Sequence, residues 1–196
     1  MSRIPSSQKG IALQIKYPEI GICGLSCRLC PSFHSQGESR CGGCKSVNRI
    51  AVGCPFITCA VKRKHIEFCW ECNESETCDK WRKHRNASKK HDSFVCYQKL
   101  DDNIAFIQRD GVIAFERTQQ AREKLLRAML QGFNDGRSKT YYSIAATVME
   151  IEELKTALST ARKKPSGMGT TEKSKVLHSL LDDVAKKKHY ILKLRK

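Results

Sequence analysis

Residues 23–78 begin CGLSCRLCP and carry ten of the eleven cysteines of the chain. The spacing of these cysteines is Cys23-x3-Cys27-x2-Cys30, Cys41-x2-Cys44, Cys54-x4-Cys59 and Cys69-x2-Cys72-x5-Cys78. A Cys-x2-Cys pair lets two thiolates from one tight turn reach the same tetrahedral ion, at about 2.3 Å each. The three pairs at 27/30, 41/44 and 69/72 therefore predict that this segment binds metal through thiolates.

The number of cysteines is sufficient for two four-thiolate sites, and zinc is the expected metal. The two pairs nearest in sequence form Cys-x2-Cys-x10-Cys-x2-Cys, which predicts one site made of Cys27, Cys30, Cys41 and Cys44. The second site would contain Cys69, Cys72 and Cys78, with either Cys59 or Cys54 as the fourth ligand. Cys23 and the other member of the 54/59 pair stay unassigned, and His65 and His84 are possible substitutes.

Two other uses of the cysteines compete with zinc. A disulfide framework needs an oxidising compartment, but residues 1–17 contain no apolar segment of the kind a signal peptide needs. We therefore expect a cytoplasmic protein with reduced thiols. A closed four-cysteine iron–sulfur cluster for electron transfer is the stronger alternative. The spacing of Cys23, Cys27 and Cys30 also matches the cluster motif of radical S-adenosylmethionine enzymes, but no strand–helix alternation of a (β/α) barrel follows it.

The chain is strongly basic, with a formal net charge of +16 over 196 residues. Such a charge favours nucleic acids, acidic proteins or anionic small molecules as partners. No apolar run approaches the length of about 18 residues needed to span a membrane, so no membrane role is expected. The sequence leaves the oligomeric state open.

Two basic runs flank the second group of cysteines and are candidate contacts for a polyanion. They consist of Lys62, Arg63 and Lys64, and of Lys80, Trp81, Arg82, Lys83 and Arg85. Lysines and arginines with an interleaved aromatic ring can combine phosphate contacts with base stacking. The competing interpretation is that the charges are solvated and that Trp81 packs on the helical region.

The pattern along the chain predicts a small, loop-rich, metal-stabilised cysteine module with short helices, followed by an α-helical region, with no extended sheet. Its divisions are a lead-in at 1–20, the cysteine module at 21–79, a basic connector at 80–100, and a helical region at 101–196 with a linker near 164–170. Apolar periodicity predicts helices near 103–115, over 117–133, over 139–162 with a break near Glu150, and over 171–187. In the second of these helices, Arg122, Glu123, Arg127 and Gln131 are expected to face away from the core.

The opening Cys23-Gly24-Leu25-x-Cys27-x2-Cys30-Pro31, together with the later cysteine pairs, resembles the bacterial and archaeal domain of unknown function 3795, which is commonly described as zinc-binding. The stretch Phe133-Asn134-Asp135-Gly136-Arg137-Ser138-Lys139 is similar to the longer members, so the resemblance extends over most of residues 20–196. Cys96 departs from the shared pattern. The resemblance implies a cytoplasmic, cysteine-rich prokaryotic protein and implies no activity.

Catalytic motifs are missing from the sequence: it contains no G-x-S-x-G, no Walker loop and no His-Glu-x-x-His. Whether the protein is an enzyme stays open, and a non-catalytic binding or scaffold protein is the favoured interpretation.

Overall fold

The computed structural model describes residues 15–38, 40–163 and 167–196. Within these ranges the chain is mainly α-helical and forms no strand, with one isolated bridge between Ile20 and Ser26. The helices are α1 (Val47–Val52), α2 (Pro55–Ile57), α3 (Asp79–Ser88), α4 (Leu100–Asp110), α5 (Val112–Phe133), α6 (Lys139–Val148), α7 (Ile151–Arg162) and α8 (Thr170–Lys188). This confirms the predicted fold class of short elements followed by longer helices.

The cysteine module is built from turns and short helices around small apolar clusters. One cluster surrounds Phe68, whose ring stacks on Trp70 with centroids 4.6 Å apart. A second contains Ile57 and Val61, and a third centres on Trp81. None is as large as the core of the helical region, and the clusters around Phe68 and Trp81 include residues of α4 or α5.

The helical region is organised around α5, which packs against α6, α7 and α8. Leu126, Met129 and Phe133 on α5 are buried in the largest core cluster of the protein. This helix begins five residues earlier than the sequence predicted, because Gly111 at φ 86° ends α4 and α5 starts directly after it.

The turns between the helices follow local signals in the sequence. α5 ends at Phe133, and the Asp135 carboxylate accepts hydrogen bonds from the backbone N–H groups of Arg137 and Ser138 at 3.0 and 3.1 Å. Residues 134–136 therefore form a turn that ends α5, and Asp135 holds the backbone just before α6, whose N-cap residue Ser138 has no side-chain capping hydrogen bond. The predicted break near Glu150 is also confirmed, since α6 ends at Val148 and α7 begins at Ile151.

Two predicted segments fall partly outside the described residues. The lead-in at 1–20 is described from residue 15 onward, and of the linker near 164–170 residues 164–166 lie outside the description. The basic connector at 80–100 is not simply a connector, because α3 occupies its first half and buries Trp81 against Leu100 and Ile104 of α4.

The cysteine module and the helices pack against one another. Leu29 belongs to the core cluster of the helical region, and the side chain of Asn103 on α4 donates a hydrogen bond to the Gly24 carbonyl at 3.1 Å. Gly24 has φ 89°, and a Cβ there would lie 3.1 Å from Ile104. Glycine therefore permits the close approach of the Cys23 loop to α4.

Candidate metal centre

The first group of thiols comes from two tight turns. Cys27 opens a one-turn 3-10 helix, Cys27–Leu29, and Cys30 ends it. Cys41 and Cys44 lie on a turn in which Gly43 has φ 101° and a Cβ would sit 3.1 Å from the Pro18 carbonyl oxygen. The turn thus requires a residue without a side chain between the two cysteines.

The two turns meet through their sulfur atoms. The backbone N–H of Cys44 donates to the Cys27 sulfur at 3.2 Å. A hydrogen bond from the Cys27 thiol lowers the pKa of Cys44 to about 7, and the nearby Arg49 and Lys45 act in the same direction. The same hydrogen bond raises the pKa of Cys27. Within the pair the thiolate is therefore favoured at Cys44 rather than at Cys27.

The remaining members of the first group are Cys30 and Cys41, and the sulfur of Cys30 lies close enough to those of Cys41 and Cys44 to interact electrostatically. Burial raises the pKa of Cys30, and the neighbouring sulfurs of Cys44 and Cys41 raise it further. The same four cysteines that the spacing assigned to one site therefore interact with one another in the fold.

The second group is arranged in a similar way. Cys69 opens a 3-10 turn, Cys69–Glu71, and Cys72 ends it. Cys78 lies at the N-terminus of α3, and Cys59 lies in a π-helical turn, Thr58–Lys64, that continues α2. Burial raises the pKa of Cys69 to about 12, with further contributions from other cysteine sulfurs, namely those of Cys23, Cys59, Cys78 and Cys72. Cys59 and Cys23 are both among the sulfurs that act on Cys69, and Cys54 packs against the same apolar cluster as Cys69.

Cys23 lies between the two groups. Burial raises its pKa to about 12, and the sulfurs of Cys44 and Cys54 add to the effect. The backbone N–H of Cys69 donates to the carbonyl of Ile22, the residue before Cys23, at 3.0 Å. The two groups of thiols are therefore neighbours within one module.

All eleven cysteines lie in the described part of the chain and are free thiols, with no disulfide between them. Cys96 is buried in the helical core, where burial raises its pKa to about 11. Among the described residues, no group of three or more cysteine, histidine or acidic side chains is close enough together to hold a metal ion.

A buried ion pair links the segments that carry the two groups. Lys45 follows Cys44, and its ammonium group lies 2.9 Å from the carboxylate of Glu67, two residues before Cys69. The lysine is 2% exposed and the glutamate 8%. The Lys45 ammonium also lies 4.1 Å from the centroid of the Phe68 ring.

The other contacts of Glu67 complete this network. Its carboxylate accepts hydrogen bonds from the backbone N–H groups of Lys16 and Tyr17, the second at 3.2 Å. Burial alone would raise the pKa of Glu67, but these hydrogen bonds and the Lys45 ammonium lower it overall. The sequence did not reveal this pair, because nothing in the residues around Lys45 distinguishes a buried lysine from a solvated one.

Arg28 joins the first group to the helical region. It lies inside the Cys27–Leu29 turn, and its guanidinium contacts Glu123 of α5 at 2.9 Å. Glu123 also binds Arg127, one turn further along α5, at 2.7 Å. The expectation that Arg122 and Glu123 face away from the core was wrong: Glu123 is 5% exposed, and Arg122 donates to the carbonyl groups of Ala146 and Met149.

The candidate polyanion contacts are mostly on the surface. Six of them are lysines or arginines whose side chains are exposed: Lys62, Arg63, Lys64, Lys80, Arg82 and Lys83. Lys64 pairs with Glu74, and Arg82 pairs with Asp79. Arg85 is partly buried and pairs with Asp101 at 2.7 Å.

Trp81 does not share this exposure. The indole is 5% exposed and packs in a cluster with Leu100 and Ile104, so it is not available to stack on a base. The interpretation in which Trp81 packs on the helical region therefore agrees with the structure. His84 lies in the same area, with its ring 4.9 Å from Phe56 and 5.9 Å from Trp81, and His65 is exposed.

The comparison with protein families gives one match: residues 19–83 match the family described as protein of unknown function (DUF3795). The matched segment is similar to this family and contains all ten clustered cysteines. Helices α4 to α8 lie beyond the matched residues. No curated protein and no solved structure matches the chain.

None of the helices in the described ranges combines the length and the hydrophobicity that crossing a membrane requires.

Proposed function

We propose that the cysteine module binds two zinc ions and that the protein is a non-catalytic binding or scaffold protein. One ion would be held by Cys27, Cys30, Cys41 and Cys44, and the other by Cys59, Cys69, Cys72 and Cys78. The observation that carries the proposal is the grouping of the free thiols. The backbone of Cys44 contacts the sulfur of Cys27 from another turn at 3.2 Å, and Cys69 is influenced by the sulfurs of Cys59 and Cys78 from other segments. Convergence of cysteines from separate turns is what a structural zinc site needs.

The chemistry of the donors fits zinc. Four thiolates form the closed tetrahedral set of a structural zinc site, which leaves no open position for a substrate. Bound zinc would join turns that otherwise share small apolar clusters, the Lys45–Glu67 ion pair and a few hydrogen bonds, and its binding energy would stabilise the fold of the module. Cys23 and Cys54 remain outside both sets.

The basic surface supports an anionic partner for such a scaffold. In the part of the chain that the structure describes, four of its exposed cations have no acidic partner: Lys62, Arg63, Lys80 and Lys83. Because Trp81 is buried, recognition would rest on charge alone. Both a nucleic-acid backbone and an acidic protein surface provide the required charge. The proposal also expects a cytoplasmic protein, because thiolate ligands must stay reduced, and the resemblance to the family implies a prokaryotic one.

Metal analysis of protein purified without oxygen tests the proposal. We expect about two zinc ions per chain and a colourless protein. The double variants Cys27→Ser/Cys30→Ser and Cys69→Ser/Cys72→Ser should each lose one ion. Cys96→Ala is the control, since Cys96 lies in the helical core, and it should keep both.

Two outcomes would overturn the zinc assignment. Fewer than about one bound metal per chain would contradict the proposed sites. Iron and sulfide in equal amounts, with absorbance near roughly 400 nm, would replace zinc with an iron–sulfur cluster and favour an electron-transfer role.

A further inference from the structure

The segment that follows α8, residues 189–196, is held against the end of α3 by a dense set of hydrogen bonds. Arg195 donates to both carboxylate oxygens of Asp92, each at 2.9 Å. Its guanidinium also donates to the carbonyl groups of Ser88 and Lys89, each at 2.7 Å. The Asp92 side chain is fully buried, and its backbone N–H donates to the Arg195 carbonyl at 2.8 Å. The 189–196 segment is therefore an ordered part of the surface.

A second contact fixes the direction in which this segment runs. The Gln98 side chain donates a hydrogen bond to the Ile191 carbonyl at 2.9 Å. Because the Arg195 contact joins the other end of the segment to the beginning of the same loop, the loop and the segment run antiparallel. Phe94 and Lys193 each lie between the two points of contact, so the fold brings them near each other.

This part of the surface offers an exposed ring and several unpaired cations. Phe94 is 57% exposed, and its ring stacks on no other ring within the described chain. The Asp92 carboxylate is neutralised by Arg195, and Asp101 is occupied by Arg85 at 2.7 Å. Three exposed lysines have no acidic partner among the residues that the structure describes: Lys90, Lys193 and Lys196.

We propose that Phe94 and these three lysines form a site for single-stranded nucleic acid. An exposed ring can stack on an unpaired base, and lysines around it can neutralise the phosphates on either side. A duplex keeps its bases stacked on one another, and an acidic protein would use the charges without the ring. The inference goes beyond the proposed function, because it depends neither on zinc nor on the cations that flank the second group of cysteines.

Fluorescence anisotropy of a labelled short oligouridine with the purified full chain tests the proposal. We expect saturable binding at about 50 mM salt, and weaker binding of a duplex RNA of the same length. Phe94→Ala should weaken binding of the single strand at least about fivefold, and Phe94→Trp should restore it, because base stacking contributes to such sites. Ile113→Ala is the matched control. Ile113 is 60% exposed and lies at the start of α5, so this variant should bind as the wild type does.

Neutralisation of the lysines tests the charged part of the site. The slope of log affinity against log salt should fall by about 2, at roughly 0.7 for each phosphate contact with a single strand, in the triple variant Lys90→Gln/Lys193→Gln/Lys196→Gln. A control with the same change in charge lies around the start of α8, whose 19 residues span roughly 28 Å. Its slope should stay close to that of the wild type, and it consists of Arg162→Gln, Lys163→Gln and Lys175→Gln, all at exposed positions.

Asp92→Asn separates an ordered site from general attraction between charges. The variant removes a negative charge, so attraction alone would strengthen binding. If the contacts of Arg195 hold Lys193 and Lys196 in place, the variant should instead bind at least about twofold more weakly, because the released segment must be ordered on binding. A melting curve checks that the variant is folded at the temperature of the assay.

Several results would overturn the proposal. These are absence of saturable binding, equal affinities of Phe94→Ala and Ile113→Ala, a duplex bound as tightly as the single strand, or tighter binding by Asp92→Asn. If glutamine at residues 62, 63, 80 and 83 abolishes binding of the oligonucleotide while Phe94→Ala leaves it unchanged, the site fails and the basic surface of the proposed function stands.

Discussion

Replacement of Lys45 by methionine probes the contact that links the two groups of cysteines. Methionine keeps most of the length and apolar surface of the side chain and removes the ammonium group. The Lys45 side chain is fully buried, and its partner Glu67 would remain in place. The variant therefore leaves a buried carboxylate without its opposite charge.

The expected cost follows from what Glu67 retains. Removing one partner of a buried ion pair costs about 3–5 kcal/mol. Glu67 keeps two backbone hydrogen bonds, from Lys16 and Tyr17, so we expect the lower end of this range, about 3 kcal/mol. Adding Glu67→Gln removes the unpaired charge, so the double variant should lose less stability than the sum of the two single variants.

Urea denaturation at a fixed zinc concentration measures the effect. With a slope of about 1–3 kcal/mol per molar urea, the midpoint for Lys45→Met should fall by about 1–3 M. Lys64→Met is the matched control, because Lys64 pairs with Glu74 on the surface, and it should leave the midpoint almost unchanged. A midpoint shift for Lys45→Met no larger than that of Lys64→Met would refute the reasoning.

Three further predictions concern other parts of the molecule. Asp92→Asn should cost about 2–3 kcal/mol at pH 7, because this carboxylate receives charge-assisted hydrogen bonds from Arg195. These hydrogen bonds outweigh burial and lower the pKa of Asp92. The difference in unfolding free energy between wild type and variant should therefore be largest above about pH 4 and should shrink as the pH falls below it. A difference that grows in acid would contradict this. Strong chelation should remove amide-exchange protection from residues 21–79 while 100–188 keep much of theirs, and equal deprotection of both would show that the helices also depend on metal. A variant with glutamine at Lys62, Arg63, Lys80 and Lys83 should bind nucleic acid with a weaker dependence on salt. The slope of log affinity against log salt should fall by about 0.7–0.9 for each phosphate contact that is lost. If the wild type binds neither RNA nor DNA at about 50 mM salt, an acidic protein becomes the favoured partner.

The local features of this protein could be predicted from its sequence. A Cys-x2-Cys spacing forces both sulfurs onto one tight turn, and the structure has 3-10 turns at Cys27–Leu29 and Cys69–Glu71. The apolar periodicity of α5, the stop after Phe133 and the break near Glu150 are likewise set by residues within a few positions of one another.

The choice of partners across the chain required the tertiary structure. The sequence left Cys54 and Cys59 equivalent as candidates, and the fold brings both near Cys69, Cys54 in a shared apolar cluster and Cys59 through the interaction of the sulfurs. Trp81 had two interpretations, and its packing against α4 favours the buried one. These outcomes depend on segments whose approach no local pattern encodes.

The buried charges show most clearly that local sequence does not identify partners that are distant along the chain. Glu123 occupies a position that periodicity assigns to solvent, yet it is buried because Arg28, 95 residues earlier, reaches it from the first cysteine turn. Lys45 and Glu67 lie 22 residues apart and meet only once both turns are folded. A charged side chain in a sequence is solvated by default, and it becomes structural only when the fold brings its partner within reach and excludes water from both.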